Sequence, residues 1–285
     1  MANEAVLKLE GRSNRRPRQR IGEVVIVALV LLYAGVLLVG PLAAIVWGAF
    51  SSGLREFFVQ LTSPNAIAAL QLTVLLATAA TAINTVFGIC IAWVLVRDDF
   101  PGKRFVNGLV DLPFAASPVI AGYMIILLFG RNGWLTPVTE LLGVKIVFAV
   151  PGMLLATLFV SMPFVVREVM PLLAHVGTTQ EMAAYTMGAG PWQTFWRVTL
   201  PSIRWGLFYG VSLTFARAIG EFGAVLVVSG GVTGHTETAT LFIFRALDDR
   251  NPAGAYAMAL TLGLTSFAVL LMMEYFKKRS SPVTL

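Results

Sequence analysis

Residues 178–201 read TTQEMAAYTMGAGPWQTFWRVTLP, a polar and aromatic interruption in a chain that is otherwise mostly compatible with lipid. Thr178 followed by Glu181 has the form of a capping box, in which the hydroxyl accepts an orphan amide and the carboxylate reaches back to the cap. Met182, Tyr185, Ala189, Trp192 and Trp196 recur at spacings of three and four, one face of a helix. Gly188 and Gly190-Pro191 weaken that helix midway and end its first half. The stretch is expected to form a short, bent amphipathic element outside the bilayer. Its sticky face suits either the groove of another protein or a bed of lipid headgroups.

Composition explains why this interruption decides the fold. Hydrophobic residues make up 57% of the 285, charged residues only 13%, and the mean hydropathy is +0.78. Soluble domains carry nearly twice that charge fraction. Several long apolar runs, not one near the start, exclude a cleaved signal peptide as their explanation. The one cysteine, Cys90, lies inside an apolar run, so no intrachain disulfide is possible and a small buried hydrophobe is expected there.

Six membrane segments are expected, each near the ~20 residues that a bilayer core requires. They run over Glu23–Phe50, Ala66–Val96, Phe105–Phe129, Val147–Val166, Ile203–Ser229 and Ala253–Phe276. Gly40-Pro41 should kink or break the first, and Pro113 and Pro118 should break the third near its start. Residues 1–20 form a basic tail suited to anionic headgroups, not a nucleic-acid arm; residues 21–279 form the membrane domain, with 178–201 as a loop within it. With the N-terminus inside, inner regions collect 15 of the 21 Lys and Arg, outer loops hold five, and Arg217 alone lies within a segment. That split requires both termini to be cytoplasmic and puts residues 178–201 in the cytoplasm. The last outer loop, Gly230–Pro252, has an apolar middle from Ala239 to Leu247 that suggests a short re-entrant or surface helix. It suits a docking surface for an external partner or a simple connector.

Charge within lipid marks function or a structural pair. Arg217 and Glu221 stand four apart on one helix face, with Gly220 and Gly223 beside them, which lets a second helix approach or this helix unwind. They are candidates for the lining of a transport route or its gate. Asp111 is read as a cap or an inner-interface residue, and Asn84 and Gln71 as bonds between helices. His175 and His235 lie in separate loops with no metal-ligand spacing, so no metal site is expected. No G-x-x-x-x-G-K-[ST] stretch occurs, so ATP binding by a P-loop in this chain is not expected either. No nucleophile, base and acid assemble, which leaves a transport subunit as the reading and not an enzyme.

Residues 178–201 resemble the EAA loop of ATP-binding-cassette importer permeases. Ala183-Ala184, Gly188 and Val198-Thr199-Leu200-Pro201 match that pattern in every spacing. The Glu slot departs from it, since it holds Met182 with Glu181 one residue early. One position is about 100° around a helix, so Glu181 should cap while Met182 packs, which counts against a family salt bridge from that slot. Phe215-Ala-Arg-Ala-Ile-Gly-Glu-Phe-Gly-Ala resembles the signature of sulfate and molybdate permeases. Pro163–Arg167, Trp192–Pro201 and Val227–Gly231 are most similar to the sulfate/thiosulfate type. Molybdate permeases tend to carry His where this chain has Arg217.

The resemblance implies an all-α, six-helix type I importer permease in the cell inner membrane. It implies two cytoplasmic ATPases that use ATP and Mg, a second related permease, and an extracytoplasmic sulfate/thiosulfate-binding protein. This chain itself would bind no cofactor. Glu181, Met182, Ala183, Ala184, Tyr185, Gly188, Trp192 and Pro201 would belong to the helix seated in an ATPase, and Arg217, Gly220, Glu221 and Gly223 to the path or gate. The alternatives are a molybdate or tungstate permease and an ion-coupled secondary transporter.

Overall fold

The computed structural model describes the backbone of residues 17–280 and the side chains of residues 24–275, and every regular element among them is helical. The side chains of the expected basic tail, residues 1–20, lie outside the described residues. Helix α1 (Pro17–Ala34), a π-helical turn (Gly35–Val39) and helix α2 (Gly40–Ser51) are continuous. The break expected at Gly40-Pro41 is absent for a definable reason. A proline ring clashes with the carbonyl four residues back. Here the turn before Pro41 is widened, so that the Gly40 amide donates to the Gly35 carbonyl five residues away. The rod continues, and from Val24 to Ser51 it has an apolar surface that this chain scarcely covers.

Helix α3 (Leu54–Leu61) leads to α4 (Pro64–Arg97), whose start is capped by the Ser63 hydroxyl accepting from the Ala66 amide at 3.3 Å. The buried residues of α4 include Ala66, Ala69, Thr73, Ala77, Ala80, Asn84, Gly88 and Ala92, small side chains at helical spacing. Such a stripe lets helices meet closely in a membrane, where burial from lipid offers little drive. Its partner is α8 (Val150–Val176), the central helix of the fold. A Cβ added at Gly88 would come within 2.8 Å of Val165. The Asn84 amide donates to the Leu158 carbonyl (3.1 Å) and the Ser161 hydroxyl (2.9 Å), as expected of an interhelical bond, whereas Gln71 is exposed. The fourth expected segment is longer than hydropathy suggested. Helix α8 runs ten residues past Val166, with Pro163 and Pro171 inside it, straight to the loop at 178.

The third expected segment is two helices, α5 (Lys103–Ala115) and α6 (Pro118–Phe129), bent by 113°. Pro113 lies inside α5, and the break falls at Ala116-Ser117, because a residue before proline is driven from helical to extended angles. Asp111 neither caps nor stands alone; it takes two bonds from Arg167 of α8, at 2.7 and 2.6 Å, and so ties α5 to the core. After the short α7 (Thr136–Leu141) and the residues 178–201, helix α11 (Leu200–Ile219) climbs beside α8 and α4. To number the intervening pieces in order, α9 is Thr179–Thr186 and α10 is Pro191–Thr194.

The fifth expected segment is likewise interrupted, at Gly220–Phe222, before α12 (Gly223–Val228). Helix α13 (Ala239–Asp248) is the one expected from the apolar middle of the outer loop. It packs inward, with Leu241, Phe242 and Ala246 buried against α4 and α14 (Pro252–Ser280). Its Arg245 pairs at 2.5 Å with the buried Glu237, whose hydrogen bond holds that guanidinium further above its ordinary pKa. Four helices among the described residues are long and apolar enough to cross a membrane, five if α5 and α6 count as one. The expected six-span total also counts α11 with α12.

Candidate functional site

The loop at 178–201 is built from the end of α8 outward. Gly177, at φ +67°, closes α8, and α9 begins at once. The expected capping box does not form: Thr178 makes no side-chain cap, and Glu181 points away from it. Glu181 is 5% exposed. One of its oxygens accepts from the Arg97 guanidinium at 3.0 Å and from the Thr199 hydroxyl at 2.8 Å. The same Arg97 nitrogen donates to the Gly177 carbonyl at 2.6 Å. The carboxylate therefore joins helix α9 to the end of α4 and the foot of α11, and its partner Arg97 ties in the end of α8. Burial is the cause of the departure from a cap, since a carboxylate taken from water needs a charged partner. Arg97 and Thr199 complete this cluster; the sequence alone counted Arg97 only among the inner basic residues and Thr199 only as a spacer before Leu200-Pro201.

Met182 is 61% exposed, so it does not pack within the chain as expected. It belongs to an uncovered apolar surface with Tyr185, Met187 (86%), Trp192 (71%) and Trp196. Helix α9 ends in a Schellman motif. The Ala189 amide bonds the Ala184 carbonyl and the Gly188 amide bonds the Tyr185 carbonyl, both at 3.0 Å. Gly188 sits at φ +86°, the left-handed conformation that favours glycine. The Ala-Ala-x-x-x-Gly spacing thus has a local reason: Ala184 supplies the carbonyl and Gly188 the turn.

Beyond it, Pro191 opens α10, and the Gln193 side chain accepts from the Gly190 amide. A second π-helical turn (Phe195–Thr199) precedes Leu200-Pro201, with the Leu200 amide bonded to the Phe195 carbonyl. It is the same device that precedes Pro41. Phe195 stands edge-on to Trp93 of α4, with ring centres 5.7 Å apart, and carries Trp192 and Trp196.

The second cluster lies at the other end of α11. Helix α11 stops at Ile219, so Arg217 and Glu221 share no continuous helix, yet they meet at 2.7 Å. Glu221 also accepts from the Ala224 amide at 3.0 Å, capping α12, and its carbonyl accepts from Thr240 of α13. Its side chain is 3% exposed, against 32% for Arg217. The arginine therefore keeps one edge uncovered while the carboxylate is sealed. Gly223 allows α12 to meet α6, since a Cβ there would lie 3.1 Å from Pro118. A Cβ at Gly220 would meet only the Arg217 and Ala216 carbonyls, at 3.8 and 4.0 Å, so no close approach requires glycine there, and closing the end of α11 is its visible role. No His, Cys, Asp or Glu cluster among the described residues could hold a metal.

Comparison with known proteins places the chain in a family. Residues 84–282 match the family model described as binding-protein-dependent transport system inner membrane component. The sulfate transport system permease protein CysW of Synechococcus elongatus is 49% identical over 90% of this chain and 89% of its own length. The CysW protein of Escherichia coli K12 is 42% identical over 90% and 89%. The fold is shared with a bacterial ABC transporter involved in the import of the acidic polysaccharide alginate. That match has a TM-score of 0.77 at 16% identity and covers 93% of this chain and 97% of the other. The chain belongs to the binding-protein-dependent transport system inner membrane component family, and within it to the CysW-type permeases.

Proposed function

We propose that the chain is a membrane-spanning subunit of an ATP-driven importer of sulfate or thiosulfate. It forms half of the pathway and couples that pathway to ATPases that it does not itself contain. The observation that carries this reading is the loop at 178–201. It is clamped to two long helices by Glu181 and Arg97, yet it leaves Met182, Tyr185 and Met187 open to a partner. A rigid mounting with an apolar outer face suits a part that must pass displacement on without deforming, and such faces bind in grooves.

Two ATP-binding-cassette subunits would grip this loop and its counterpart on a second, related permease, consuming ATP and Mg. An extracytoplasmic binding protein would deliver the anion. Closing of the ATPases would draw the two loops together and bias the pathway between outward- and inward-open states. Both termini and the loop would face the cytoplasm, as the distribution of basic residues requires. Arg217, held by the sealed Glu221 with one edge free, is the cation best placed to meet a divalent oxyanion or to gate its passage. The sulfate assignment is supported by the identity to permeases that carry that name. Radiolabelled sulfate uptake in a strain lacking the gene tests it, with molybdate as competitor. Loss of uptake restored by this chain is expected; unchanged sulfate uptake, or preferential loss of molybdate uptake, contradicts the assignment.

A further inference from the structure

A groove of about 480 Å³ lies between the inner end of α4 and the loop at 178–201. Val86, Cys90 and Trp93 form one wall, and Trp192, Phe195 and Trp196 form the floor. Its volume is within the ~300–1,000 Å³ of small-molecule sites, but such sites carry a few oriented polar groups. Every residue lining this one is apolar or aromatic, Cys90 included. Water-soluble ligands are poorly served by such a surface. Hydrocarbon is well served.

Depth and charge narrow the occupant further. Val86 to Val94 covers about 12 Å of helix rise, parallel to the bilayer normal if α4 spans it. Three tryptophans, Trp93, Trp192 and Trp196, gather at the lower end, where tryptophans mark a membrane–water boundary. Two exposed arginines stand on the same segment: Arg197 beside Trp196, and Arg204 one turn beyond Leu200, packed 5.1 Å from the Trp205 ring. A vertical hydrocarbon slot with an aromatic rim at its lower end, and with cations next in sequence to its lining residue Trp196 and one turn from Leu200, matches a phospholipid, with chain in the slot and phosphate at the arginines.

The geometry points to a binding site for one acyl chain of an anionic phospholipid, seated between α4 and the coupling loop. It rests on the reading that the loop faces the cytoplasm. The lipid would brace the loop along Trp192 and Trp196, leaving Met182, Tyr185 and Met187 to the ATPase, so that bilayer composition sets how firmly the loop is held.

The test uses the complete purified complex in nanodiscs containing phosphatidylglycerol or phosphatidylethanolamine with the same diazirine-bearing acyl chain. After photolysis, labelled peptides are mapped by mass spectrometry. Labelling is expected on the peptides holding Cys90–Trp93 and Trp192–Trp196, with phosphatidylglycerol favoured roughly fivefold per arginine. Cys90→Trp should fill the slot and abolish that labelling. Val86→Trp, at an exposed rim position that tolerates substitution, should reduce it. Arg197→Gln with Arg204→Gln should erase the headgroup preference while chain labelling persists. Even labelling along all of α4, unchanged by Cys90→Trp, overturns the proposal. So does a photo-crosslinker at residue 86 that captures the second permease instead of lipid. The ATPases should co-purify throughout, so failure of the lipid site is distinguishable from failure of the coupling reading.

Discussion

Arg97 and Glu181 stand 84 residues apart in sequence and meet at 3.0 Å, with side-chain exposures of 11% and 7%. Because Arg97 also binds the carbonyl that ends α8, and Glu181 the hydroxyl of Thr199, the pair fixes the loop to three helices together. Glu181→Ala leaves the guanidinium largely buried and unpaired, a change that typically costs about 3–5 kcal/mol. Amides of residues 178–201 should then exchange hydrogen much faster while α4 and α8 remain protected, and transport should be lost with insertion intact. Hydrogen exchange on the purified complex measures this. Unchanged protection of the loop would show that the pair is not its anchor.

Tyr185→Ala and Met182→Ser remove side chains that project from α9, 44% and 61% exposed. Stability of the isolated subunit should change by no more than about 0.5 kcal/mol. Binding of the ATPase should weaken by about 2 kcal/mol or more for the tyrosine, the scale of an aromatic anchor in a groove. Yield after affinity purification through the ATPase reads the second effect and thermal unfolding the first.

Gly188 tests the local geometry of α9. A side chain there would meet open space, but the φ of +86° strains any L residue. The strain is about 1–2 kcal/mol for alanine and less for asparagine, which tolerates the left-handed region. Gly188→Asn should retain more ATPase than Gly188→Ala, and Gly188→Arg, which adds bulk and charge to the docking face, should retain none at normal membrane levels. Equal retention by all three would remove the backbone explanation.

Arg217→Ala leaves Glu221 sealed and unpaired, and Glu221→Ala removes both the partner of Arg217 and the cap of α12. The first should destabilise the fold more, by about 3–5 kcal/mol, because it strands a sealed carboxylate, whereas the second leaves an arginine already one-third exposed. Glu221→Gln can still accept from Ala224 and should fold, but with uptake reduced and basal ATP hydrolysis raised. Anion uptake and ATPase rate in proteoliposomes check these outcomes; wild-type uptake by Arg217→Ala would return that arginine to a packing role.

How much of this was legible beforehand depends on range. Helix content and the long spans α4, α8 and α14 follow from hydropathy over local windows. Gly188, Gly190-Pro191 and Ser117-Pro118 announced their breaks because they act on their own backbone. Two prolines misled: Pro41 and Pro113 sit inside helical runs, because neighbouring turns adjust in ways that no residue type signals. Glu181 was misread for a different reason. A carboxylate three residues after a threonine fits a cap, and only the fold brings Arg97 to it. The Arg217–Glu221 pair was legible at its short spacing; the helix break between them, and the capping of α12 by Glu221, came from α12 and α13 packing around it.

The central claim is that residues 178–201 form a cytoplasmic knob gripped by a nucleotide-hydrolysing subunit. The most direct measurement is site-specific crosslinking from Met182→Cys in a Cys90→Ala background, in inverted membrane vesicles with and without ATP. The account predicts a crosslink to an ATP-binding-cassette subunit whose yield changes with nucleotide, and no labelling of that cysteine by an impermeant reagent applied from outside intact cells. Labelling from outside, or a cysteine that crosslinks to nothing in the assembled complex, would contradict it.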